Sequence, residues 1–258
     1  MTTAAAHFTG SIPDYYDRGL GPRLFERYAR DIAGRIAARA PQSVLELAAG
    51  TGIVTRHLRT ALPYDSELVA TDLNPPMLAV AQSKFSAAER VAFQPADAMA
   101  LPFPANSFDA IVCQFGVMFF PDKDSSYAEA ARVLRSGGCY LFNVWDRMEV
   151  NPFARVAMET IGRFFRDEPP AFYKTPFGYF SVDPIKASLK AAGFNSVTAE
   201  TVQFDQEIGD VQGFAEGLVL GNPIIEEIKA RATAPPGDIV LAVAEALRRE
   251  FGDGGRMP

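Results

Sequence analysis

The sequence predicts an α/β fold: a doubly wound, mostly parallel sheet with helices on both faces and a helical, aromatic insertion after the fifth strand. Three observations predict it. Short apolar, β-branched runs alternate with stretches of helical period, the first such run passes into a Gly-rich loop, and 258 residues suit one large α/β domain with an appendage.

Taken in order, a helix is expected from Pro22, with Leu24, Phe25, Tyr28, Ala29, Ile32 and Ile36 on one face. Ser43 to Leu47 reads as a buried strand, followed by the loop Ala48-Ala49-Gly50-Thr51-Gly52 and a helix to about Leu62. Glu67 to Thr71 and Val91 to Gln94 are the second and third strands, with a helix from Pro75 to Phe85 between them. Phe108 to Cys113 is a strand apolar enough to be buried in a parallel sheet, Asp122 to Leu134 a helix, and Gly137-Gly138 turns the chain into Cys139 to Trp145. Strands alternating with helices at this spacing imply right-handed crossovers.

Beyond Asp146 the pattern changes. A helix is expected from Pro152 to Arg166, then an aperiodic aromatic stretch from Asp167 to Phe180 that reads as a lid, then a short helix from Asp183 that Gly193 ends. Val197 to Phe204 alternates like a strand, and Asp210 to Phe251 reads as helices broken at Gly221-Asn222-Pro223 and Pro235-Pro236-Gly237. The expected organisation is an N-terminal lid and helix (1–41), a ligand-binding core (42–146), a lid or insertion (147–193) and a C-terminal part of the sheet with helices (194–258).

Composition excludes several classes. A net charge of -6 and no Lys/Arg cluster argue against nucleic acid as partner. Met1 to Gly10 lacks a signal-peptide pattern and the longest apolar run, Ala110 to Phe120, is too short to span a bilayer, so the expectation is a cytoplasmic protein with no membrane partner. Two cysteines, Cys113 and Cys139, and two histidines give no metal-ligand spacing, so no metal is expected.

The strongest chemical signal is Val44-Leu45-Glu46-Leu47-Ala48-Ala49-Gly50-Thr51-Gly52, a strand running into a glycine loop at a helix start. Glycines let a ligand approach the backbone, and the helix start presents amide donors. Asp72 closes the second strand about 20 residues on, where an acid can accept from ribose hydroxyls. Glu46 beside the loop would repel a pyrophosphate and favours a cationic ligand. Arg56 stands where a dinucleotide fingerprint has its third glycine.

These residues, with Thr71-Asp72-Leu73-Asn74, Ala96-Asp97-Ala98, Ser107 to Val112 and Leu134-Arg135-Ser136-Gly137-Gly138, resemble Rossmann-like class I S-adenosylmethionine-dependent methyltransferases. The group resembled most is that of the quinone-biosynthesis C-methyltransferases, over about Tyr16 to Trp145. The resemblance implies S-adenosylmethionine as cofactor, with Gly50, Thr51 and Gly52 along its methionine portion and Glu46 on its ammonium. It implies Asp72 on the ribose, Leu73 and Met77 flanking the adenine, Asp97 accepting from the exocyclic amine and the Ala98 amide on a ring nitrogen. Gln114 would face the methionine moiety, and Tyr16 resembles an N-terminal tyrosine that closes over the cofactor. Ala48 replaces the family's usual first glycine, which a methyl tolerates if φ stays negative.

The implied reaction is methyl transfer to a small molecule, with no residue singled out as a general base. Phe164, Phe165, Phe172, Tyr173, Phe177, Tyr179 and Phe180 suit either the cap over a partly apolar or aromatic acceptor or a homodimer contact. Two other readings stay open: a nicotinamide-dependent oxidoreductase and a non-catalytic S-adenosylmethionine-binding sensor. The resemblance also implies a seven-stranded sheet whose last strand has no apolar segment after Phe251, where the Gly-rich end reads as the turn leading into it; the expectation is that the chain stops short of its natural end or that a neighbouring chain or another segment supplies the strand, the alternative being direct pairing of Cys139 to Trp145 with Val197 to Phe204.

Overall fold

The computed structural model describes residues 6–257, so the first five residues of the segment read for a signal peptide lie outside them. The chain divides into two compact units. Among the described residues, the first comprises 27–144 and 180–201, and the second 6–26, 145–179 and 202–257.

The first unit is built on a five-stranded sheet: β1 (Ser43–Glu46), β2 (Glu67–Asp72), β3 (Val91–Pro95), β4 (Phe108–Gln114) and β5 (Leu134–Asn143). Its order is β3-β2-β1-β4-β5, with every pairing parallel. Central β1 is buried at all four positions, which is why it reads as an unbroken apolar run rather than an alternation. Helices cover both faces. From α2 (Glu26–Ala37) and α3 (Ile53–Ala61), Ala29, Ile32, Ala33, Ile36, Val54 and Leu58 pack on Val44, Leu68, Ala110 and Val112. On the same face Leu78 of α4 (Pro75–Ser83) packs with Ala49 and with Ala70, two residues from Leu68 on β2; on the opposite face Tyr127 of α5 (Lys123–Val133) stacks on Phe142 at 5.8 Å.

Where β4 meets β5 the register shifts between Phe108 and Ala110, so that Leu134 pairs with Phe108 and Cys139 with Ala110. The intervening residues include Gly137 at φ 81°; the expected glycine turn is therefore a bulge inside a longer strand. The helix α7 (Val182–Ala191) follows, and Gly193 ends it at φ 102° as expected.

Val197 to Phe204 forms no strand. Its alternation runs Val197, Ala199, Thr201 and Gln203 against Thr198, Glu200, Val202 and Phe204, so neither face is apolar enough to be held on a sheet. The alternative of direct pairing with the fifth strand is not seen. Instead β6 (Gln206–Glu207) pairs antiparallel with β7 (Arg256–Met257) in the second unit, so the glycine-rich stretch leads into this separate two-stranded ladder and not into the main sheet.

The second unit is mainly helical: α1 (Ile12–Tyr15), a π-helical stretch Tyr16–Phe25, α6 (Pro152–Gly162), α8 (Val211–Leu220), α9 (Ile224–Arg231) and α10 (Pro236–Phe251). The first helix was expected to open at Pro22, yet Pro22 lies within the π-helical stretch, which ends with Glu26 donating to the Gly21 carbonyl five residues back. Proline has no N–H, and a widened turn accommodates the lost rung. The stretch lies tightly against α8: a Cβ on Gly19 would stand 2.6 Å from Gly217 Cα, and one on Gly217 2.8 Å from Leu20 Cδ2.

The aromatic stretch read as a lid supplies much of this unit's own core. Phe172, Tyr173 and Phe177 are buried, Phe177 lies 6.0 Å from Trp145 and 6.1 Å from Phe153, and the Tyr173 hydroxyl donates to the Leu218 carbonyl at 3.1 Å. The sequence hides this because the aromatics sit on an irregular 3-10 turn with no period. Among the described residues no helix is long and apolar enough to cross a membrane, and no group of three or more His, Cys, Asp or Glu could hold a metal ion.

Candidate active site

The strand order reverses between β1 and β4, and a crevice at such a point, outside the carboxyl ends of the strands, is where open α/β sheets take ligands. The parallel sheet brings the ends of β1, β2, β3 and β4 to that edge, and with them the loop 47–52, Asp72, Asp97 and Gln114. These come together in the first unit. Tyr16 lies in the second, its ring stacked on Phe25 at 5.1 Å.

The loop is held by backbone bonds to both neighbouring strands: Leu47 N–H donates to Val112 at 2.8 Å and Ala49 N–H to Thr71 at 2.9 Å. Gly50 (φ 57°) and Gly52 (φ 81°) are left-handed, as the turn into α3 requires. The α4 helix braces the same turn. A Cβ on Gly52 would stand 2.9 Å from Ala81 Cβ, Met77 Cε is 3.5 Å from where a Gly50 Cβ would lie, and Lys84 Nζ donates to the Thr51 carbonyl at 2.8 Å.

Ala48 departs from expectation: its φ is 51°, not negative. A left-handed alanine costs about 1–2 kcal/mol. Across the crevice Phe115 is also left-handed at 51°, its ring edge-on to Tyr28 at 5.4 Å. Its neighbour Gly116 leaves room for the Ala48 methyl, since a Cβ there would lie 2.5 Å from Ala48 Cβ. Backbone strain gathered at a crevice is a mark of functional sites. Ala48→Gly should therefore raise stability by about 0.5–1 kcal/mol in chemical denaturation, because the relieved strain exceeds the added freedom of the unfolded chain. Unchanged or lower stability would contradict the strain argument.

Asp72 is buried, and both its oxygens are engaged: Oδ2 accepts from the Gly50 amide at 2.9 Å, and Oδ1 from the Asn74 amide at 2.8 Å and its side chain at 3.2 Å. Burial raises its pKa, opposed by these donors and the Leu73 amide. The carboxylate thus stitches the glycine loop to β2, and Oδ2, with one donor, retains acceptor capacity.

Glu46 is 2% exposed, and its Oε2 has no hydrogen-bond partner. Burial drives its pKa up to about 8; the Thr55 hydroxyl and amide pull the other way, and the negative charge of Asp72 adds to the rise. The hydroxyls of Thr51 and Thr55 are likewise buried and without a partner. Such orphaned groups are costly in an interior and point to a missing polar partner. Cys113 nearby has its thiol pushed up to about 12 by burial, which makes it inert.

Leu73 is 41% exposed and Met77 buried. Asp97 Oδ1 accepts from the Met99 amide at 2.9 Å, and the Asp97 carbonyl accepts from Ala100 at 3.0 Å, so the acid also shapes a turn that buries Ala98. Gln114 closes β4 opposite Asn143 of β5, and Asn143 accepts from the Phe115 amide through its side-chain oxygen at 3.0 Å. Thr55, Asn74 and Lys84 were not singled out from sequence. Only Thr55 had a signal, a small hydroxyl residue in the first turn of the helix after the loop.

Residues 44–138 match the family model described as a methyltransferase domain. The demethylmenaquinone methyltransferase of Thermus thermophilus is 41% identical over 113 residues, 43% of this chain and 51% of that one. This chain thus spans about half the length of that relative. The ubiquinone/menaquinone biosynthesis C-methyltransferase UbiE of Escherichia coli is 29% identical over 188 residues, 68% of this chain and 74% of that one. Among solved structures, the YcgJ protein from Bacillus subtilis shares the fold, with a TM-score of 0.55 at 22% identity over 90% of this chain and 93% of that one. Over residues 44–138 the chain is thus similar to methyltransferase domains, and among the relatives to those named as quinone-biosynthesis C-methyltransferases.

Proposed function

We propose that the chain binds S-adenosylmethionine at the carboxyl ends of β1, β2 and β4 and directs its methyl group, by in-line displacement, to a small, partly apolar or aromatic acceptor. The observation that carries this reading is Glu46: a buried acid with an orphaned oxygen under a glycine turn can ionise against an ammonium, whereas a pyrophosphate offers it no counter-charge, which disfavours a nicotinamide dinucleotide.

In this reading Gly50, Thr51 and Gly52 line the amino-acid end with Glu46 and Gln114, and Asp72 takes the ribose hydroxyls. Leu73, exposed at 41%, and Met77 flank the adenine; Asp97 and the Ala98 amide meet its polar edge. The cofactor supplies a sulfonium-activated methyl carbon. The protein's part is alignment and exclusion of water, which need no metal and no dedicated base unless the acceptor carries a proton. The names of the relatives, in ubiquinone and menaquinone biosynthesis, make aromatic ring carbons the first acceptors to try.

The test is transfer of an isotopically labelled methyl group from S-adenosylmethionine to a panel of phenolic and quinol acceptors. Labelled product formed by the wild-type chain is expected. Cofactor binding with no transfer to any acceptor would favour the sensor reading, and tight NADH binding in its place would favour an oxidoreductase.

A further inference from the structure

We infer that Thr55 is the positioning residue that lets Glu46 ionise when the cofactor arrives, so that cofactor uptake releases a proton to solvent. The inference rests on the reading that Glu46 meets the cofactor's ammonium.

The geometry is a cluster of buried polar side chains in the first unit. Glu46 ends β1 with its side chain 2% exposed, and Thr55, 0% exposed, stands in the first turn of α3. Thr55 turns both amide and hydroxyl to the carboxyl group, and both favour the charged form. Yet the Thr55 hydroxyl and Glu46 Oε2 complete no hydrogen bond of good geometry.

The surrounding groups account for this. From β2, Asp72 adds negative charge; from β4, Cys113 is buried and stays a neutral thiol. On α3, Arg56 is paired with Glu89, and Arg59 donates to the carbonyls of Leu62, Pro63 and Ser66. No cation is among the causes that act on Glu46. A carboxyl group raised to about 8 by burial keeps its proton at neutral pH. An incoming ammonium lowers that value, the proton leaves as the ion pair forms, and affinity rises with pH by up to about tenfold per unit.

The probe is S-adenosylhomocysteine, titrated calorimetrically in buffers of different ionisation enthalpy between about pH 6 and 7, where an amino-acid ammonium keeps its proton. The wild type should release close to one proton per ligand and gain nearly tenfold in affinity over that interval. Glu46→Gln should abolish both. Thr55→Val, which keeps the side-chain shape, should bind about tenfold more weakly at pH 7 and release half a proton or less, with Thr55→Ser restoring wild-type behaviour.

Binding by the wild type without proton release, or a Thr55→Val profile matching the wild type, would overturn the inference while the cofactor reading stands. Failure of the wild type to bind the probe at all would overturn both.

Discussion

Replacing Asp72 with alanine is expected to lower affinity for S-adenosylmethionine about 10- to 150-fold, the equivalent of about 1.5–3 kcal/mol for a charge-assisted bidentate contact. The structure adds a second consequence. Asp72 Oδ2 accepts from the Gly50 amide and Oδ1 from the Asn74 amide and side chain, so the alanine also strands these three donors and unties the glycine loop from β2. Asp72→Asn separates the contributions: its amide oxygen can keep one of these bonds but carries no charge for the ribose. Calorimetric titration of both variants, with circular dichroism to show that each is folded, is the check. Wild-type affinity in Asp72→Ala would remove Asp72 from the site.

Gly52→Ala is expected to cost about 2–5 kcal/mol in chemical denaturation and to abolish measurable cofactor binding. Two penalties combine: a left-handed backbone at φ 81°, about 1–2 kcal/mol for a residue with a Cβ, and a methyl 2.9 Å from Ala81 Cβ, about 1–3 kcal/mol where the packing cannot give. They can be told apart. Adding Ala81→Gly removes the closest contact, leaving the Ala81 Cα at 3.2 Å and the backbone strain, so the double variant should recover part of the stability lost, a coupling a double-mutant cycle reads directly. If Ala81→Gly recovers nothing, α4 is not the brace described.

The acid at Glu46 gives a further observable in the empty protein. Its folded value lies near 8 against an ordinary 4.5, so the neutral form is favoured in the fold. Its contribution to stability is complete below about pH 4.5 and is lost as pH rises through about 8. Glu46→Gln should remove that slope from a series of thermal melts.

The central sheet was legible because burial on both faces leaves apolar, β-branched runs, as in Ile111, Val112 and Cys113, and because proline and glycine mark the helix ends at Pro75 and Gly193. The crevice residues were legible for a related reason: in a parallel sheet the loop after β1 and the acid ending β2 must share an edge, so spacing alone brings Gly50 and Asp72 together. Long-range compensation was not legible. The φ of Ala48 depends on Gly116, 68 positions away along the chain, which leaves space for its methyl. The aromatics Phe172, Tyr173 and Phe177 are buried by tertiary contacts on a segment without period. Val197 to Phe204 shows the opposite failure, a local alternation with too little apolar surface on either face to hold a strand in place.

The central claim, that the glycine loop and its two buried acids receive S-adenosylmethionine, is tested most directly by a crystal structure of the chain with S-adenosylhomocysteine. The account predicts the ribose hydroxyls within hydrogen-bond distance of Asp72, the ammonium on the Glu46 side of the loop and the adenine against Leu73. Ligand density elsewhere in the molecule, or an amino-acid end turned away from Glu46, would contradict it.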